Sequence, residues 1–267
     1  MAISSGSYAA LPGSHSAGDL YLTTDSFYDW LLSNGTTWLH ILGGFRCLPP
    51  NSGAFSWVNQ GAATTITANG GIALRAPGTA GTQHRLLVKA IPTAPYSVTS
   101  LVVPGIVGAN YTWCGVALRE SGTGKLATFG VIYDSVNGGG SISVHNVPSE
   151  SSASNLRTVS LTEPLKSINA LFLKINDTGT GYTFSFSGDG QNFIQLHSEN
   201  YVSLMFTDKA DQIGIFANAN NAASYDAICT LLHWGEIGAD IPRHYGFWGK
   251  GSSQSDSNAN YIGIFGR

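Results

Sequence analysis

The sequence predicts an all-β chain, an antiparallel sandwich or barrel, on three observations. Short apolar runs recur through most of its 267 residues. Gly, Pro, Asn, Ser or Asp separates nearly all of them. Within the runs apolar and polar residues alternate with period two, the pattern of a sheet with one wet face.

From about residue 54 the runs follow one another closely. They are HRLLVKAI from His84, YSVTSLVV from Tyr96, YTWCGVAL from Tyr111, LATFGVIY from Leu126 and SISVHNV from Ser141. LRTVSL from Leu156, NALFLKIN from Asn169, YTFSFS from Tyr182, FIQL from Phe193, QIGIFA from Gln212 and ICTLLHW from Ile228 complete the set. YTFSFS alternates throughout, with Tyr182, Phe184 and Phe186 on one face and Thr183, Ser185 and Ser187 on the other. LFLKI puts Leu171, Leu173 and Ile175 on one face, as expected of the neighbouring strand. Each fully buried large side chain is worth about 1.5–3 kcal/mol, so such stripes are the main source of stability.

Before residue 54 the pattern is mixed. DSFYDWLLSNG (25–35) is the best helix candidate, because Phe27, Trp30 and Leu31 recur at helical spacing and Asp25 or Ser26 can cap. Strand-like runs flank it, and a hairpin turning at Asn34-Gly35 fits at least as well. The organisation expected is a β module and attachment segment over 1–50, a sandwich domain over 51–238, and a C-terminal linker and arm over 239–267. The arm opens as the low-complexity stretch GKGSSQSDSNAN and closes on an apolar tip. Tyr261, Ile262, Ile264 and Phe265 are its candidate docking residues, since a tip this short needs another surface to pack on.

Composition narrows the function. Charged residues are 11%, against about 25% in ordinary soluble domains. Glycine supplies 33 residues and the net charge is −3. Nucleic acid is not an expected partner, because no basic patch or stripe is present. A charge-poor surface repels its own copies weakly and suits a protein that lives in an assembly. No run of about 18 apolar residues predicts a membrane span. Residues 1–16 lack the basic and apolar regions of a secretory signal, and the cysteine usage is consistent with synthesis in a reducing cytoplasm. Cys47, Cys114 and Cys229 are odd in number and lack metal-site spacing, which predicts buried free thiols.

Chemistry is sparse. Ser187-x-Asp189-Gly190-x-x-Phe193 reads as a tight turn, since Asp-Gly favours a two-residue hairpin turn with positive φ. An ion-holding reading needs more carboxylates than Asp177 on the preceding run. Gly122–Lys125 lacks the rest of a phosphate loop and reads as a turn. The seven histidines lie far apart in sequence, and no strand motif pairs two carboxylates. Neither an enzyme nor any cofactor or metal is expected on these grounds. Trp113 with Arg119, and Phe129 with Tyr133, share strand parity and are candidates for an aromatic platform that takes a sugar. Core packing accounts for the same aromatics.

Residues 54–237 resemble the concanavalin A-like jelly-roll domains of bacteriophage virion proteins and of accessory modules of some glycosidases. The resemblance rests on Phe55-Ser56-Trp57, the Ser-x-Asp-Gly-x-x-Phe hairpin, and the ending GIFA…YDA…LLHW. Residues 18–44 resemble the small β module that precedes such domains in phage tail and virion proteins. The resemblance implies an antiparallel jelly-roll sandwich in a virion protein: an oligomeric, trimeric tail fibre or appendage. Its partners would be other virion proteins and host surface polysaccharide. A capsid decoration or head-fibre protein, and a free carbohydrate-binding lectin-like module, are the alternatives. The catalytic acids of the carbohydrate-active families are absent from the central strands.

Overall fold

The computed structural model describes residues 3–6, 20–23, 30–33, 38–40 and 48–238, except 69, 79–80, 106–110, 135–138, 153–156, 162–169, 203–205 and 221–224. The chain divides into two units, Met1–Arg46 with Pro242–Arg267, and Cys47–Ile241.

In the first unit, β1 (Ile3–Gly6), β2 (Leu20–Thr23), β3 (Trp30–Ser33) and β4 (Trp38–His40) form one sheet in that order. β1 and β2 run parallel, and the other two pairs run antiparallel. Trp30 and Leu31, the centre of the helix candidate, lie in a strand. Ser33 pairs with Trp38 across the Asn34-Gly35 position, as the hairpin reading requires.

The second unit is an antiparallel jelly-roll sandwich. Its strands are β5 (Ser56–Val58), β6 (Thr64–Ala68), β7 (Gly71–Ala76), β8 (Arg85–Ala90), β9 (Tyr96–Gly105), β10 (Trp113–Arg119) and β11 (Leu126–Asp134). β12 (Gly139–Val147), β13 (Arg157–Ser160), β14 (Leu171–Asp177), β15 (Gly181–Ser187), β16 (Ile194–Asn200), β17 (Gln212–Asn218) and β18 (Ala227–Gly238) follow. One sheet has the order β13-β12-β11-β10-β17-β8-β5, and the other β16-β15-β14-β9-β18-β7-β6. Every ladder in both is antiparallel.

Period two explains the core. Leu171, Leu173 and Ile175 face inward with Tyr182 and Phe184 of the next strand, and Ile175 pairs with Phe184. Val116, Phe129, Val144 and Ile215 meet them from the opposite sheet. Phe129 and Phe184 make an edge contact at 5.6 Å between the two layers. Two bulges interrupt the pattern, one in β18 between Leu231 and His233, the other in the β15–β16 ladder.

The first sheet is apolar on both faces. Leu86, Val88, Trp113, Ala117, Leu126, Ile132, Val147 and Phe216 form a second buried cluster on its outer side. The segment after β12 helps to cover it. The Glu150 carbonyl accepts from the His84 amide at 2.8 Å, and the Glu150 carboxylate meets Arg119 Nε at 2.6 Å. His84 precedes β8 and Arg119 ends β10, with β17 between them, so residues 148–152 run across the outer face as a strap.

The β15–β16 connection differs from a two-residue turn. It spans residues 188–193, and only Gly190 has positive φ, 74°. The Asp189 carboxylate organises it, accepting from the amides of Gln191 and Asn192 at 2.8 Å each and from Asn192 Nδ2 at 2.8 Å. Ser187 Oγ donates to Asp189 at 2.7 Å and accepts from the Gly190 amide at 2.9 Å. A side-chain hub thus replaces a second residue of positive φ. Residues 120–125 form the β10–β11 turn, in which the Glu120 amide donates to the Lys125 carbonyl and Gly124 has φ of 76°.

Candidate functional site

The structure does not assemble the sequence-predicted sugar platform. Trp113 belongs to the outer cluster of its sheet and Phe129 to the core between the sheets. Neither exposes a ring: Trp113 is 3% exposed and Phe129 0%. Arg119 is held by Glu150 and by Gln212 Oε1 at 2.7 Å. Tyr133 shares the inward parity of Phe129, on the opposite face from Trp113. The two pairs therefore cannot form one platform, because directly paired residues share a face and Trp113 pairs with Ile132, which alternation puts on the opposite face of β11 from Phe129 and Tyr133. Tyr261, Ile262, Ile264 and Phe265 lie outside the described residues.

The fold instead brings together histidines that are distant in sequence. His84 and His145 stand on either side of Trp113, with ring centroids at 5.3 and 4.0 Å. Burial lowers the pKa of His84 to about 4, so the ring is neutral at pH 7.

A polar row crosses the second sheet near one end of its strands. Tyr96 pairs with Asp177, Asp177 with Tyr182, and Tyr182 with Glu199. Directly paired residues share a face, so β9, β14, β15 and β16 each add one inward polar side chain. All four are buried. Asp177 Oδ1 accepts from the Gly179 amide at 2.8 Å and from the Tyr201 hydroxyl. The hydroxyls of Tyr96 and Tyr182 are buried against each other, and Asp177 Oδ2 is buried beside them. Burial, reinforced by the Asp177 charge, pushes the pKa values of Tyr96, Tyr182 and Tyr201 well up, so the phenols stay protonated. Glu199 Oε2 accepts from Asn146 Nδ2 at 3.0 Å, a bond between β16 of one sheet and β12 of the other, and lies 3.2 Å from His197 Nε2.

Beside the row lies a cleft of about 340 Å³ lined by Thr178, Gly181, Tyr182, Thr183, Ser198, Glu199 and Asn200. Thr183 and Ser198 face each other across the β15–β16 ladder, and Thr183 Oγ1 also accepts from Asn176 Nδ2 at 3.1 Å. Hydroxyls and an amide are groups that exchange hydrogen bonds with a polyol. Among the described residues no group of three or more His, Cys, Asp or Glu is arranged to hold a metal.

Sequence reasoning missed this site. Its signal was the inward parity of Asp177, which continues the stripe of Leu171, Leu173 and Ile175. A carboxylate on an apolar stripe is costly unless partnered.

No protein family's sequence pattern matches the chain. No curated protein matches its sequence. The fold has solved counterparts. A functionally unknown protein from Saccharomyces cerevisiae aligns over 71% of this chain and 98% of its own, at 13% identity and a TM-score of 0.53. A GH43 protein from Bacillus licheniformis aligns over 82% of this chain at 14% identity and a TM-score of 0.53. This chain spans about half of that protein, 52% of its length. The CBM2 module of an evolved Dit protein from Lactobacillus casei phage J-1 aligns over 63% of this chain and 80% of its own, at 14% identity and a TM-score of 0.42, too slight a likeness to argue from. The class is thus an antiparallel jelly-roll sandwich of the kind found in glycoside-hydrolase chains.

The sequence reading held that the chain is not an enzyme, because no strand motif pairs two carboxylates. The GH43 counterpart shows that the same sandwich occurs in a glycoside-hydrolase chain. The fold also sets two buried carboxylates, Asp177 and Glu199, on either side of Tyr182. Carboxylates on different strands leave no motif in the sequence.

Proposed function

We propose that this chain is a glycan-contacting component of a bacteriophage virion, an oligomeric tail fibre or appendage, and that the cleft along β15 and β16 takes the sugar. The observation that carries the glycan reading is the lining itself. Thr178, Thr183, Ser198 and Asn200 offer hydroxyl and amide groups along its wall. The virion reading is supported by the resemblance of residues 18–44 and 54–237 to virion proteins and by the charge-poor composition. Trimeric assembly through the C-terminal tip belongs to the same proposal.

The test is calorimetric titration of the full chain with polysaccharide purified from a bacterial surface, repeated with Asn200→Ala and Thr183→Val. Each variant removes one polar group from the cleft and should weaken binding by roughly tenfold, the equivalent of one hydrogen bond of about 1.4 kcal/mol. Unchanged binding in both variants would move the site elsewhere, and no binding to any surface polysaccharide would end the glycan reading. Release of reducing ends during the titration would make Asp177 and Glu199 the first residues to replace. Light scattering tests the trimer, and antibody labelling of intact virions tests the tail location.

A further inference from the structure

We propose that Cys114 and Cys229 are a latent inter-sheet disulfide, a site of oxidation by thiol–disulfide exchange that ties the two layers of the sandwich together. Cys114 lies on β10, the central strand of its sheet, and Cys229 on β18 in the facing sheet. Alternation sends Cys114 inward with Val116 and Leu118, and Cys229 inward with Ala227 and Leu231. Both are free thiols, exposed by 1% and 0%.

The two side chains meet. Cys229 Sγ is 3.6 Å from the carbonyl oxygen of Gly115, the residue after Cys114. The thiols are close enough to share a hydrogen bond. Cα atoms of β10 and β18 approach within 8 Å. A disulfide spans Cα separations of about 4.4–6.8 Å, the range the two facing strands must reach at this pair for the bond to close. Their bond would link positions more than a hundred residues apart, and loops that long gain most from cross-linking in the chain-entropy account.

The chemistry balances with a dissolved disulfide such as oxidised glutathione. One cysteine thiolate attacks it, forms a mixed disulfide and expels one thiolate. The second cysteine attacks the protein-side sulfur and expels the other. Two protein S–H bonds and one small-molecule S–S bond become one protein S–S bond and two small thiols. The protein loses two electrons and the reagent gains them. The hydrogen bond to Cys229, together with burial, pushes the Cys114 thiol well above its ordinary range. The thiolate is scarce in the folded chain, so oxidation accompanies folding rather than following it.

The full chain, unfolded under reducing conditions, is refolded in a mixture of oxidised and reduced glutathione. Free thiols are then alkylated and peptides mapped without reduction. The expected result is a linked pair of peptides carrying Cys114 and Cys229 in most molecules, with a melting temperature raised by roughly 10 °C over the reduced chain. Cys47→Ser should give the same linkage. Recovery of Cys114 and Cys229 as alkylated thiols overturns the proposal, and so does pairing of either with Cys47. A linked chain that melts below the reduced one overturns the claim that the bond secures the sandwich.

Discussion

The Glu150 carboxylate lies 2.6 Å from Arg119 Nε, and this contact anchors the strap of residues 148–152 on the outer face of its sheet. Both side chains are mostly buried, exposed by 18% and 14%. Glu150→Gln keeps the shape and removes the charge, leaving the guanidinium with Gln212 as its hydrogen-bond partner. The expected loss of stability is about 1–3 kcal/mol, read from urea midpoints. No loss would mean that the backbone bond to His84 holds the strap alone.

Stability should fall on mild acidification. Burial lowers His84 and His233 from 6.5 to about 4 in the folded chain. The unfolded chain takes up protons near 6.5 that the folded chain refuses, so stability is full above that pH and declines as pH drops towards 4. The slope is at most about 1.4 kcal/mol per pH unit for each histidine. Urea midpoints between pH 7 and 4.5 measure it, and a flat profile would mean that both rings are protonated in the fold.

The tyrosines around Asp177 should differ in worth. Tyr201→Phe removes a donor from the buried carboxylate and should cost about 1–3 kcal/mol. Tyr96→Phe removes a hydroxyl whose partner is the Tyr182 phenol rather than the carboxylate and should cost less than Tyr201→Phe. Equal losses in thermal or urea unfolding would contradict this ordering.

The Asp189 hub gives a local prediction. The amides of Asn192 and Gln191, joined by the Asn192 and Ser187 side chains, hold its carboxyl well below the usual carboxylate range. Its carbon resonance should show no titration between pH 7 and 3. In Asp189→Ala the amides of Gln191 and Asn192 should lose hydrogen-exchange protection, while those of β14 keep theirs.

Core truncation should be severe where the two layers meet. Phe184 is fully buried and packs on Phe129 across the layers. Phe184→Ala should cost about 3–5 kcal/mol, because the cavity adds to the lost burial. Differential scanning calorimetry would show a depressed transition for the second unit, and a near-wild-type transition would place the core elsewhere.

The sequence by itself determined the strands and their faces. Alternation in YTFSFS and LFLKI marked the stripes that became the core, because side chains of a strand point alternately to its two faces. Asp-Gly after Ser187 marked a reversal, although its hub of side-chain bonds is wider than a two-residue turn. Only the tertiary structure decided which stripe faces what. Alternation does not say whether an outward face stays wet, and in the β10 sheet both faces are buried. Trp113 and Phe129 looked like one platform and became parts of two separate cores, since their faces follow from register with neighbouring strands. Asp177 and Glu199 became neighbours of Tyr182 in the same way, through ladders joining residues that alternation on a single strand cannot relate. Cys114 and Cys229 met because two sheets packed face to face, and packing across a core has no period along the chain.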